Sequence, residues 1–451
     1  MVAGVRLELK SFRYLFLFGC LLIPTGLRAE ELSLQQAIEL ALAHAPAMHA
    51  AEAGRDAAAE DAAIGLAPLL PSVELNGSLQ RRRHRTDYDT PQTLFKTDLN
   101  YNENTVGVRV VQSLFDLQRW AGYRQGELSA EAGELRLQLE RQRLMLETAR
   151  AFLDATTAQA ALSAAGVREE AAAKLAAQAE AAQRVGTAAM PEKLDAEARH
   201  DLARADRLRA ENDLDQARAR LASLIGKPVD VLKPSQISTR QAGQTAEQPE
   251  HWENQAAGHA LAVKLAEVQF GVARQGKRKA LGGALPRVEA FGEIARDRSS
   301  DTMLNRGATV RDQAIGVQVK MPLYTGGGTT AQMRKSEKQA VQAEFTLADD
   351  VRLARLTARQ AFLARQSAEA QVAAMRLAVV SASKAARAAH MGYEVGLRSI
   401  TEVLDADERS SAARKNLAAA AAQYVFAVLQ LKASIGALTD RPLSGVFGDA
   451  S

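Results

Sequence analysis

The chain has 451 residues, 47% of them hydrophobic, 24% charged and only 5% aromatic. Its mean hydropathy of −0.19 excludes a polytopic bundle of membrane helices, and its core-forming content excludes a disordered chain. The formal charge of +4 falls to about +1 once residues 1–29 are set aside, which leaves 53 basic and 52 acidic residues, so the pI near 9.1 makes no case for nucleic acid.

In chain order, the first segment has basic Arg6, Lys10 and Arg13, an apolar run from Tyr14 to Ile23, and a cleavable Leu27-Arg28-Ala29. That order is a secretory signal peptide over residues 1–29. Cys20 is the one cysteine; bulky Phe18 and the apolar residues after it argue against a lipid-attachment box. The mature part is expected to carry no thiol, and no helix apolar enough to span a bilayer.

The mature chain repeats itself at an offset of roughly 210 residues. Leu70-Pro71-Ser72-Val73-Glu74 returns as Leu285-Pro286-Arg287-Val288-Glu289, and Val106-Gly107-Val108 returns as Ile315-Gly316-Val317. Leu194-Asp195-Ala196-Glu197 returns as Leu404-Asp405-Ala406-Asp407. The expected plan is a first repeat over 30–226, a connector over 227–252, a second repeat over 253–440 and a tail over 441–451. Each repeat holds two segments in which apolar and polar residues alternate with the period of a strand, about 72–82 and 105–114 in the first, about 287–296 and 314–324 in the second. Phe291 breaks the alternation. Between the paired strands, Arg81 to Thr105 and Arg296 to Gln313 are charged and lack a core pattern, which predicts two hairpins with long polar tips. The basic run Arg81-Arg82-Arg83-His84-Arg85 falls in the first tip.

Long helices fill the rest. No proline interrupts Leu117 to Arg184, enough for about 100 Å of helix. Further helices are predicted over Glu192–Ile225, Ala331–Tyr393 and Ile400–Ile435. Leu417, Ala421, Tyr424, Val428, Leu431 and Ile435 form a heptad-like seam, in which small residues allow close packing. The fold class is therefore mainly α with a small β part: duplicated long helical hairpins and four strands per chain.

Exported strands with one apolar and one polar face suit a transmembrane barrel, because lipid tolerates only helices and closed barrels. Four strands cannot close one, so several chains must share a wall. If the apolar face meets lipid, Glu74, Arg109, Glu289, Glu293, Gln318 and Lys320 line a water-filled lumen.

Gln112-Ser113-Leu114-Phe115-Asp116 with Trp120, the Pro322, Leu323, Tyr324, Gly326 and Gly327 pattern, and the turns at Val185-Gly186 and Val395-Gly396 resemble those of TolC-type outer-membrane efflux proteins. The resemblance spans nearly the whole mature chain. It implies a homotrimer in the outer membrane of a Gram-negative bacterium, whose chains share one 12-stranded barrel continued by a helical tunnel through the periplasm. It also implies a periplasmic adaptor and an inner-membrane transporter, ATP-driven (ABC) or proton-driven, as partners. The protein is read as a passive exit duct for type I protein secretion, with small-molecule efflux and a non-channel periplasmic coiled-coil tether as alternatives.

By the same resemblance Glu402 and Asp405 match the acidic positions of a pore constriction, where three copies would favour cations. Tyr393 and Arg398 match gate-latch residues, with Glu192 as acidic partner; Pro191 stands where the family often has a hydroxyl, and Glu402 where aspartate is commoner. No enzyme activity, cofactor or metal is expected. Gly326-Gly327-Gly328 lacks the Gly-Lys-Ser/Thr of a phosphate loop, the seven histidines form no His-Glu-x-x-His motif, and no Gly-x-Ser-x-Gly occurs.

Overall fold

The computed structural model describes residues 32–90, 93–233, 248–301 and 306–438. The signal segment 1–29 with Cys20, the tail 441–451 and residues 234–247 of the connector lie outside these described residues.

Two rounds of the same element order make up the chain. The first is α1 (Leu34–His44), α2 (Pro46–Leu66), β1 (Ser72–Thr90), β2 (Thr93–Phe115), α3 (Leu117–Arg184) and α4 (Met190–Ile225). The second is α5 (Pro249–His259), α6 (Leu261–Gly282), β3 (Arg287–Ser299), β4 (Ala308–Lys320), α7 (Gly328–Glu394) and α8 (Ile400–Ser434). Residues 249–252, expected in the connector, belong to α5.

Local chemistry sets the helix boundaries. Ser33 opens α1 with a capping box closed by Gln36, and Asp116 opens α3 by accepting from the Arg119 amide at 3.1 Å, each satisfying a donor the first turn leaves unpaired. Pro191 sits in the first turn of α4, where its missing N–H costs nothing. The α3–α4 and α7–α8 turns are built alike. Gly186 and Gly396 take φ of 80° and 74°, values open to glycine without a Cβ penalty. Thr187 N donates to Ala182 O at 2.9 Å, and Leu397 N to Gly392 O at 2.8 Å.

The four strands form one antiparallel sheet in the order β1-β2-β3-β4, leaving β1 and β4 as open edges. The strands depart from the expected spans. Arg81 to Thr105 is not a polar loop: β1 and β2 pair continuously from Ser72↔Val111 to Thr90↔Thr93. The basic run is therefore strand. Above the apolar band Arg81 to Arg85 are exposed on both faces, and this part of the hairpin carries no period-two hydrophobic signal; polar cross-strand pairs such as Arg82–Glu103 (2.7 Å) and Arg83–Asp98 (2.7 Å) join it instead. Likewise β3 and β4 pair out to Ser299↔Ala308. Met321 to Tyr324 leave the sheet, since Pro322 has no N–H to offer a ladder.

The largest apolar cluster lies where α1, α3, α4 and α8 converge, around Ile38, Leu144, Phe152, Leu221, Ile225 and Leu429. A parallel bridge between Leu32 and Leu232 ties the start of the first round to its end. On the α2 side of α3, Gly126 and Gly133 recur at heptad spacing; a Cβ at Gly126 would collide with the Asp61 carbonyl oxygen, and one at Gly133 would meet the Ala58 side chain at 2.5 Å. At the far end, Ala172, Leu175, Ala203, Ala389, Val403 and Leu404 form a second cluster with Tyr393 packed on it. One expectation needs correcting. Among the described residues α8 does contain an 18-residue window of mean hydropathy 1.2 with at most two charges. Its alanine-rich sequence serves two packing faces at once, Tyr424 toward α7 and Val425 with Leu429 toward α3.

Candidate functional site

Two regions carry the chemistry, the sheet and the helical tip. Antiparallel pairing places Glu74, Arg109 and Glu293 in one row across β1, β2 and β3, and Glu289 opposite Gln318 on the same face. Lys320 follows two residues beyond Gln318, again on that face. All six residues expected to line a lumen thus share one side of the sheet. Arg109 reaches Glu293 at 3.8 Å and lies over the Phe291 ring at 5.6 Å. Phe291 breaks the alternation because it fills the space above Gly316, whose missing side chain admits the ring. Glu289 is not free: Arg119 at the head of α3 holds it at 2.8 Å while also contacting Asp116 at 3.2 Å, bracing the sheet against the helix.

The opposite face carries Val73, Leu75 and Leu79 on β1, Val106, Val108 and Val110 on β2, Ile294 on β3, and Ile315, Val317 and Val319 on β4, all exposed. Measured along the strands, this apolar face runs about 13 Å from Val319 to Ile315 and about 20 Å from Val73 to Leu79, beside the ~25 Å apolar band of a lipid-facing barrel wall.

At the tip, the expected gate residues come together only in part. Glu402 closes a capping box at the start of α8: Ser399 N donates to Glu402 Oε2 at 2.9 Å, and Glu402 N donates to Ser399 Oγ at 3.4 Å. Arg398 pairs with the same carboxylate at 3.5 Å. Its stem crosses Gly392, where a Cβ would meet Arg398 Cγ at 2.8 Å. Tyr393 is half-buried against the tip cluster, and Glu192 lies exposed in the first turn of α4. Within one chain the described contacts do not link Glu192 to Tyr393 or Arg398.

Asp405 has a partner that sequence reasoning missed. Arg199 of α4 donates to Asp405 Oδ1 at 2.8 Å and to Asp195 Oδ2 at 3.1 Å, and the bond to Asp405 foremost lifts the Arg199 pKa above its ordinary value. Farther from the turn, Arg168 of α3 contacts Asp206 of α4 and reaches Glu408 of α8 at 3.5 Å. These ion pairs line a cleft of about 440 Å³ between the two helical hairpins. The only local sign of them is the Asp195–Arg199 spacing of four; Asp405 lies 206 positions away. His390 of α7 bonds Asp407 of α8 at 2.8 Å.

The profile of the outer membrane efflux protein family matches this chain twice, over residues 37–227 and 252–437, the two rounds of elements described above. Outer membrane protein TolC of Vibrio cholerae is 28% identical, with 89% of this chain and 90% of that protein covered. Proteases secretion protein PrtF of Dickeya chrysanthemi is 26% identical, with 93% and 91% covered. The fold is also that of the outer membrane protein VceC of Vibrio cholerae, with a TM-score of 0.73 at 19% identity, covering 89% of this chain and 96% of that one.

Proposed function

The chain belongs to the outer membrane efflux protein family, and on that premise we propose that three copies form a passive exit duct for proteins driven across by an ATP-powered inner-membrane transporter. Its location is the outer membrane of a Gram-negative bacterium, with the helical length in the periplasm. The observation that carries the channel reading is the sheet: one exposed apolar face, one charged face, and two unpaired edges that a closed wall must eliminate. Three four-stranded sheets would supply a 12-stranded barrel, and the long α3–α4 and α7–α8 hairpins would continue it toward a periplasmic adaptor. A protease-secretion relative matched over 93% of this chain supports protein cargo. Small-molecule efflux through the same architecture is the second reading, favoured by the family's description.

In this assignment Glu74, Arg109, Glu293, Gln318 and Lys320 face the lumen, with Glu289 serving the joint as well. Glu402 and Asp405 ring the periplasmic opening. Tyr393, Arg398 and Glu192 act as the latch, Glu192 reaching a neighbouring copy. The duct performs no chemistry of its own. Planar-bilayer recording of the purified protein is the test: discrete conductance steps are expected, and their absence from protein shown to be inserted would reject the duct in favour of a coiled-coil tether.

A further inference from the structure

Above the apolar band, the two faces of the sheet differ in charge. On the face that would line the lumen, Glu103, Asp297 and Asp312 supply acids. On the lipid-side face the residues that follow Leu79, Val106, Ile294 and Ile315 in alternation are Arg81 and Arg83 on β1, Asn104 and Asn102 on β2, Arg296 and Arg298 on β3, and Gln313 and Arg311 on β4. Arg83 is neutralised by Asp98, and Arg81 donates to the Asn100 side chain at 3.2 Å. Arg296, Arg298 and Arg311 are different. They are exposed, and among the described residues none has an ion-pair or hydrogen-bond partner for its guanidinium.

Their placement is costly without a ligand. Arg296 stands directly opposite Arg311 in the β3–β4 ladder, a like-charge cross-strand pair that destabilises a sheet, and Arg298 follows on the same face. Guanidinium groups present a planar fork of donors that matches phosphate oxygens two at a time. The three lie one to two alternations beyond the apolar band, at the end of the sheet away from the helices, which is the height of the headgroups in the external leaflet.

We infer that Arg296, Arg298 and Arg311 form a docking site for phosphorylated headgroups of lipids in the external leaflet. Phosphate bridging Arg296 and Arg311 converts their repulsion into a shared contact, and the site is continuous with the apolar band that would hold the same lipid's acyl chains. The inference rests on the barrel assignment above.

The test uses the full chain, assembled in nanodiscs of zwitterionic lipid doped with a disaccharide lipid bearing two phosphate monoesters, and counts retained lipid by native mass spectrometry. Wild type is expected to retain the bisphosphorylated lipid, and R296Q/R298Q/R311Q to lose roughly tenfold or more of it. A dephosphorylated form of the same lipid should be retained by neither protein. Millimolar inorganic phosphate should not displace the lipid, since it lacks the acyl anchor; full displacement would show a soluble-phosphate site instead and overturn the proposal. Equal retention by variant and wild type, or of the dephosphorylated lipid, would also overturn it. If the triple variant fails to assemble, R311Q alone is read the same way, with R311K expected to retain more lipid than R311Q. Conductance is recorded on the same samples: a conducting protein that ignores phosphate defeats this inference alone, whereas a non-conducting one defeats the channel reading.

Discussion

Glu402 and Asp405 lie three residues apart, yet their surroundings separate them. Glu402 is part of the structure of its helix start, so replacing it by alanine removes a capping interaction along with a charge. Glutamine preserves the box, because either side chain can reach back to the cap amide. Glu402→Gln with Asp405→Asn is therefore the clean variant for charge, and a salt-gradient reversal potential that moves toward zero is expected; an unchanged potential would place the selective ring elsewhere. Arg199→Gln is expected to act in the opposite sense. It exposes the Asp405 carboxylate, so cation preference should rise several-fold as a permeability ratio, while loss of the link between α4 and α8 increases the time spent in wider conductance levels. The turn residues Tyr393 to Asp405 could be singled out from the sequence because their spacing is local and their motif resembles a family. Arg199 could not, because its role depends on two helices meeting that are far apart in the chain.

Helices were the most legible elements, since heptad spacing and the absence of proline over α3 are properties of continuous sequence. The lower parts of the strands were legible for the same reason: one face must be apolar. Their upper parts were not, because the residues from Arg81 to Thr105 lack an alternating apolar pattern and their pairing depends on cross-strand partners. The face assignment makes a direct prediction. Arg at Val108 or Val317 is expected to cost ~2–4 kcal/mol near the bilayer midplane, whereas Arg at Gln318 should fold as wild type; heat-resistant oligomer on a gel reports both, and equal defects would reverse the faces. A second prediction concerns the approach of α2 to α3. Gly126→Val must push α2 away from the helix it rests on, at a cost of ~1–3 kcal/mol, read as a lower midpoint of thermal unfolding. Val at Gly54, which has open space around its Cα, should instead be neutral to slightly stabilising, by a few tenths of a kcal/mol, because valine is the better helix former of the two.

For the whole molecule, the two open sheet edges decide the assembly. An edge strand left in lipid keeps unpaired N–H and C=O groups where no water can reach them, so a membrane-inserted monomer is untenable on this geometry. Native mass measurement in detergent is expected to give about three protomers, and a stable inserted monomer would refute the shared barrel. The exposed apolar residues of α7, among them Phe345, Leu356 and Leu377, offer the same copies a packing surface along the tunnel. The doubled element order was visible in the sequence because matching segments keep their order through the chain, while the unequal lengths of the two hairpins, 19 and 23 residues against 13 and 13, were hidden in their polar tips.

That inequality shapes the outer mouth. The β2–β3 ladder ends at Glu103↔Ser299, with one further bond from Ser300 N to Asn102 O at 2.9 Å, so among the described residues the first hairpin continues beyond that level as a two-stranded ribbon. In a ring of three copies the rim would be crenellated, with three raised ribbons and three low gaps. Material leaving the mouth could then escape sideways through the gaps even if the space directly above were obstructed, and a peptide tag inserted between β1 and β2 would stand clear of the wall, readable by an antibody on intact cells.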